Sequence, residues 1–195
     1  MTVAVAVRTS RTRLVFDGQS LNIQPGVNIA YPRQLRNLLG DIVYNVPAIG
    51  DCAFSDLIND FGQRTAPYAT KGQRTILMMN GGTNDALSGS NGATIYATFG
   101  TYAATARTAG FGKVIANTIP PNVGSTGSFE TARTTANSLI LADASHYFDA
   151  TADFASDSRL SDYTNLTYYS DGIHWTTAGC QAAASIMAPV ARPFI

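Results

Sequence analysis

The chain has little charge. Asp, Glu, Lys and Arg together make up 13% of 195 residues, and 13 basic residues balance 13 acidic ones to a formal net charge of zero. A basic face for nucleic acid or for an anionic membrane surface is therefore not expected. Lysine is rarer still, with Lys71 and Lys113 alone, a bias that nothing in the sequence explains. There are two cysteines, Cys52 and Cys180. That is too few for a disulfide framework, and their spacing fits no zinc site. Two small buried thiols are the plain expectation. A bridge between them stays open, because both lie close in sequence to candidate site residues. No apolar run approaches the ~20 residues of a membrane helix. The stretch MTVAVAVRTSRTR at the start lacks the basic-then-apolar order and the cleavage site of a secretory leader. The expectation is a cytoplasmic or phage- or host-expressed protein that inserts in no membrane. Repeats, low-complexity tracts and linkers are also missing.

What is present is a hydrophobic fraction of 45%, enough for one domain with a proper core across residues 1–195. Short apolar runs alternate with helical patterns. Strands are expected over 12–18, 74–80, 113–121 and, weakly, 146–151, and 41–50 reads as a second strand and its loop. Helices are expected over 28–40, 54–64, 92–110, 129–144 and 176–191. The run RTILMMN (74–80) is apolar on both faces, as a central parallel strand is. Gly40 and Gly110 stand where helices stop. Strands alternating with helices imply a parallel sheet covered on both faces. In such folds ligands sit beyond the carboxyl ends of the strands.

The turns at that edge carry a particular set of groups. Ser20 follows the first strand in FDGQSLN. Gly50 follows the second in VPAIGDC. Asn84 follows the third in GGTND. Asp171 and His174 precede the last helix in YYSDGIHW. Acyl transfer calls for these types. A serine hydroxyl needs a base to take its proton. An imidazole serves near neutral pH, and a carboxylate orients it and stabilises its cation. The backbone N–H groups of Ser20 and Gly50 and the Asn84 side-chain amide offer donors for an oxyanion. Each part alone is weak: Gly-x-Ser and Asp-Gly are common turn elements, and Gly50 also reads as an ordinary turn glycine. Asp85 reads as structural, bonded to backbone N–H groups at a helix or turn start. His146 has no motif around it and reads as structural. Trp175 reads equally as a pocket wall or a core anchor. Tyr163, Tyr168 and Tyr169 suit either a sugar-stacking rim or a cover for the sheet's end.

Taken in order, these blocks resemble the SGNH hydrolases, the GDSL-like lipases and esterases named for a Ser, Gly, Asn and His in four blocks. The resemblance covers DGQSLN, NVPAIGDCAFSDLI, GTND and DGIH, and so nearly the whole chain. It implies a flavodoxin-like three-layer α/β/α sandwich with a central parallel sheet of about five strands. It implies that Ser20 is the nucleophile, that His174 and Asp171 complete the triad, and that Ser20, Gly50 and Asn84 form the oxyanion hole. Neither metal nor cofactor is called for. One position departs from the family: the usual Gly-Asp-Ser-Leu is Gly18-Gln19-Ser20-Leu21. Gly-Gln-Ser is similar to the first block of sialic-acid O-acetylesterases and some carbohydrate esterases. The expected activity is therefore hydrolysis of short acyl, chiefly acetyl, esters of a small molecule or carbohydrate. The alternatives are a lipase-, lysophospholipase- or thioesterase-like enzyme, or a non-catalytic glycan-binding or structural phage-type module on the same fold.

Overall fold

Five short strands form a single parallel sheet in the computed structural model, which describes residues 12–40, 42–69, 74–143 and 146–195. The strands are β1 (Arg13–Gly18), β2 (Val43–Asn45), β3 (Thr75–Asn80), β4 (Lys113–Asn117) and β5 (Ala150–Ala152), in spatial order β2-β1-β3-β4-β5. The chain runs outward from β1 to β2, then returns to place β3 on the other side of β1. That reversal makes the β1/β3 border the switch point, where two adjacent loops diverge and leave a crevice. Both strands end at one level, with Gly18 opposite Asn80. All six residues of β3 are buried, as its run of apolar residues on both faces predicts.

Helices cover both faces. On one lie α2 (Phe54–Asn59), α3 (Phe61–Arg64), α5 (Gly92–Ala109) and α6 (Gly127–Leu141); their core includes Phe54, Phe61, Phe99 and Tyr102. On the other lie α1 (Tyr31–Leu39) and α7 (Thr177–Ala191), packed around Phe16, Tyr31, Phe154 and Trp175. A short helix, α4 (Thr83–Leu87), follows β3 directly. This is the parallel sheet covered on both faces that the alternating pattern implies, in the flavodoxin-like α/β/α form that the resemblance implies.

The differences from the sequence reading have local causes. The helix expected over 54–64 is two helices, broken at Asp60, whose ψ of 0° ends the first. The strand and loop expected over 41–50 divide after Asn45: Val43–Asn45 pairs with β1, and Pro47, which has no N–H to donate, lies in the loop. The fifth strand lies at Ala150–Ala152 instead of 146–151. Just before it, the Asp149 N–H donates to the Val114 carbonyl of β4 at 2.8 Å, and the Asp149 carboxylate accepts from Lys113, Arg107 and the Val114 N–H. The expected leaderless start, Asp41 and Ala144 lie outside the described residues, apart from Thr12 and Arg13 of the first stretch. Among the described residues no helix is long and apolar enough to cross a membrane.

Candidate active site

The first loop is built on Gly18. Its φ is +141°, and a Cβ there would lie 1.7 Å from the Asn80 carbonyl oxygen, so no other residue lets β1 and β3 end side by side. The Gln19 N–H then donates to that carbonyl at 3.0 Å, and Ser20 opens a single 3₁₀ turn, Ser20–Asn22. Beneath, the buried Asp17 carboxylate accepts from Gly18 N–H, Arg64, Thr65 and Tyr102. Arg64 also donates to the carbonyl of Pro47 at 2.9 Å, which ties the second loop to the base of the first.

The second loop brings Gly50 against the serine. An ideal Cβ on Gly50 would lie 4.0 Å from Ser20 Cβ and 3.9 Å from Ile23 Cδ1. Those are ordinary contacts, so the protein's own packing does not demand glycine at this position. The backbone N–H groups of Ser20 and Gly50 have no protein acceptor among the described residues. Donors left open at a crevice are what an oxyanion site needs.

The third loop answers to GGTND. Gly82 has φ +86°, and its Cβ would strike Ile119 Cδ1 at 2.6 Å. The left-handed residue turns the chain from β3 straight into α4, which the turn chemistry of the sequence did not reveal as a helix. Asn84 sits in its first turn, and its Nδ2 donates to the Cys52 carbonyl at 2.9 Å. One amide hydrogen is used and the other remains for a ligand. Asp85 is structural as expected, although its partners are distant in sequence. Its carboxylate accepts from the Phe54 N–H at 3.1 Å, at the start of α2, and from Gln19 Nε2 at 3.0 Å. Burial raises the Asp85 pKa above the usual carboxylate value, against the lowering effect of the Phe54 and Gln19 bonds.

Gln19 itself was legible only as a substitution for aspartate. In the fold it is a strut, 2% exposed. Its Nε2 donates to the Cys52 carbonyl at 2.9 Å and to Asp85, and its Oε1 accepts from the Asn84 N–H at 3.3 Å. One side chain thereby spans the first three loops. Only its donor-and-acceptor character hinted at this.

The last loop is a small hairpin. Ser170 N–H and Oγ both donate to the His174 carbonyl, Tyr169 bridges to Trp175, and Gly172 forms the tip. Tyr169 and Trp175 are fully buried; Trp175 packs edge-on against Tyr31 and Phe154, which makes it a core anchor. The tyrosines of this loop cover the sheet's end: the Tyr169 hydroxyl donates to the Leu160 carbonyl, and Tyr163 and Tyr168 lean on the same core.

The hairpin presents His174 to the serine. Its Nε2 lies 3.0 Å from Ser20 Oγ and its Nδ1 lies 2.7 Å from Asp171 Oδ2. Asp171 Oδ1 accepts from the backbone N–H groups of Ile173 and His174, at 2.9 and 2.7 Å. Partial burial raises the Asp171 pKa, but the His174 ring and these two N–H bonds outweigh it and hold the pKa at about 2. An ionised Asp171 keeps the proton on Nδ1, which leaves Nε2 free to accept from the serine. The structure thus brings Ser20, Gly50, Asn84, Asp171 and His174 to one edge. His146 is exposed, stacks on Tyr147 and precedes β5, at the other end of the sheet. Cys52 and Cys180 are buried free thiols, each bonded to a backbone carbonyl. Among the described residues no group of three or more His, Cys, Asp or Glu is placed to hold a metal ion.

A chain with this sheet order and a crevice at the β1/β3 border is a flavodoxin-like α/β/α sandwich. Solved structures narrow the fold further. A lipolytic protein of the G-D-S-L family from Veillonella parvula matches with a TM-score of 0.78 at 17% identity, over 92% of this chain and 97% of that one. A lipase/acylhydrolase from Enterococcus faecalis matches at TM-score 0.70 and 13% identity, over 93% and 96%. A GDSL-like lipase from Bacteroides thetaiotaomicron matches at 0.67 and 18%, over 91% and 86%. No protein-family model matches the sequence, and no curated protein matches it. The fold is that of the SGNH, or GDSL-like, hydrolases.

Proposed function

We propose that the protein is a serine esterase that hydrolyses short acyl esters, acetyl esters above all, with a carbohydrate as one class of alcohol. The observation that carries the reading is the continuous Asp171–His174–Ser20 relay, 2.7 and 3.0 Å between its heavy atoms, beside two open backbone donors. His174 Nε2 takes the Ser20 proton as Oγ attacks the ester carbonyl. The Ser20 and Gly50 N–H groups and the free Asn84 amide hydrogen receive the oxyanion. His174 returns the proton to the leaving alcohol, and water repeats the sequence on the acyl-enzyme. The preference for short acyl groups rests on the confined space beside Ser20. A cavity that Ser20 itself lines, with Asn80 and Asn122, is about 10 Å³, where a long chain would want a larger apolar groove.

The test is release of p-nitrophenol from acetate through decanoate esters by wild type and by Ser20→Ala. Turnover that falls with chain length and vanishes in the variant is expected. Turnover retained by Ser20→Ala removes the serine from its role, and turnover rising with chain length replaces the short-acyl reading with a lipase-like one.

A further inference from the structure

Ser20 has a second neighbourhood, a small cavity that Gly50 does not line. The cavity lies between Ser20, Asn80, Thr83, Pro121, Asn122 and Ile173. It has room for about one water-sized group. Its walls are two prolines and two buried amides. Asn80 ends β3 and is 3% exposed; Asn122 follows β4 and is 2% exposed. The Nδ2 of each has no hydrogen-bond partner among the described residues. Buried side-chain donors are nearly always satisfied, and the walls of this cavity supply neither donor with an acceptor.

Asn122 is held firmly. Its Oδ1 accepts from the Gly124 N–H at 2.7 Å, and its own N–H donates to Ser125 Oγ at 2.8 Å. The first of these bonds fixes which end of the amide is the oxygen, so the free end is the NH₂. The next residue's N–H, that of Val123, donates to the Gly172 carbonyl at 2.8 Å. The turn is therefore latched to the hairpin that carries Asp171 and His174. A donor that is rigid, buried and unpaired, one small cavity away from the nucleophile, is suited to read an oxygen on the substrate.

We propose that Asn122 and Asn80 form a subsite that recognises a hydroxyl on the carbon next to the ester group, so that the preferred substrates are hydroxylated esters and not plain alkyl ones. The inference rests on the esterase reading above. The hydroxyl has two sources of the same chemistry: the acyl part, as in a 2-hydroxyacyl ester, or the alcohol part, as in a polyol acylated on one of two vicinal hydroxyls. The size of the cavity admits a single such group in either case.

Two substrate pairs separate the sources. Phenyl acetate against phenyl 2-hydroxyacetate varies the acyl side. Cyclohexyl acetate against trans-2-hydroxycyclohexyl acetate varies the alcohol side. Wild type should favour the hydroxylated member of one pair by about tenfold in kcat/KM, the scale of one hydrogen bond to a buried donor. Asn122→Asp keeps the acceptor for Gly124 and removes the donor, so it should erase that ratio. Asn80→Ala should reduce it. Ratios near one in both pairs overturn the subsite and leave the esterase standing. A preference that survives both variants also overturns it. If no ester is turned over, the esterase reading fails, and binding decides the subsite. Ser20→Ala titrated by NMR with the same four esters should bind a hydroxylated member more tightly, and the added Asn122→Asp should remove the difference. Equal binding removes the subsite.

Discussion

Gln19→Glu is the sharpest probe of how the site is held, because it replaces one amide nitrogen by oxygen and changes almost no volume. The side chain is buried and its Nε2 lies 3.0 Å from Asp85 Oδ2 and 2.9 Å from the Cys52 carbonyl. A carboxylate there would aim an oxygen at both acceptors. Two unit charges at 3 Å repel by about 5 kcal/mol at an effective dielectric of ~20. A buried pair avoids that by keeping one proton between them. Asp85 is already inclined to hold one, since burial raises its pKa. The folded variant would thus bind a proton that the unfolded chain releases near pH 4. The sign follows: where the native state binds more protons, stability falls as pH rises, by about 1.4 kcal/mol per unit for one proton. The fall begins above the unfolded carboxylate pKa and ends at the raised pKa of the pair. Urea unfolding of wild type and variant from pH 4.5 to 8 measures it. The variant should approach wild type at the acid end and lose ground steadily towards neutrality. Esterase activity should fall along the same slope, because Gln19 also receives the Asn84 N–H. A variant as stable and active as wild type at pH 8 would refute the strut.

Other substitutions test the remaining parts. Asn84→Ala removes one oxyanion donor and should lower kcat on the order of 10²–10³-fold with a smaller effect on KM; an unchanged kcat on p-nitrophenyl acetate returns GGTND to a structural turn. His174→Ala should abolish hydrolysis and His146→Ala should leave it intact, and the reverse result would show that the wrong imidazole was assigned. Asp171 keeps its charge down to about pH 2, so the pH profile of kcat/KM between pH 4 and 8 should show no limb that Asp171→Glu moves; a limb there that shifts with that variant would contradict the lowered Asp171 pKa. In Asp171→Asn, kcat should drop by about 10⁴-fold, with circular dichroism unchanged. Gly18→Ala would drive a methyl into the Asn80 carbonyl and should leave no soluble folded protein; a variant with normal melting would contradict the close approach of β1 and β3.

Much of this was legible in the sequence, for a physical reason. The candidate nucleophile Ser20 and the candidate donor Asn84 follow strands, and those strand ends show as apolar runs that stop at glycine, at Gly18 and at Gly81–Gly82. Asp171 and His174 stand instead in the hairpin before α7, marked by its Asp-Gly turn. The layers followed from the alternation of buried strands and helical patterns. Boundaries were less legible, because the last residues of a strand are set by partners. β2 stops pairing at Asn45 although β1 runs on to Gly18, with Pro47 two residues ahead, and Asp149, just before β5, already donates its N–H to the Val114 carbonyl of β4. The α4 helix was hidden because Gly-Gly-x-Asn-Asp is equally good turn chemistry, and only Gly82 packed on Ile119 and Ile95 shows why it turns into a helix.

The cross-loop partners were out of reach for a different reason. Gln19, Asp85 and the Cys52 carbonyl come from three loops and meet only after the sheet has formed. Sequence spacing says nothing about such a meeting. The same holds for Asp17 with Arg64, Thr65 and Tyr102, and for Asn80 with Asn122. These groups decide how rigidly the reactive set is held, and catalysis by preorganised donors depends on that rigidity. The glutamine in the first block is therefore more than a missing charge. An amide can donate to Asp85 and accept from Asn84 at once, whereas an ionised aspartate can only accept. With Asp85 buried opposite, a second carboxylate would need a proton to stay. The glutamine removes that need, and one neutral side chain holds the serine loop, the loop that carries Cys52 and the Asn84 helix together.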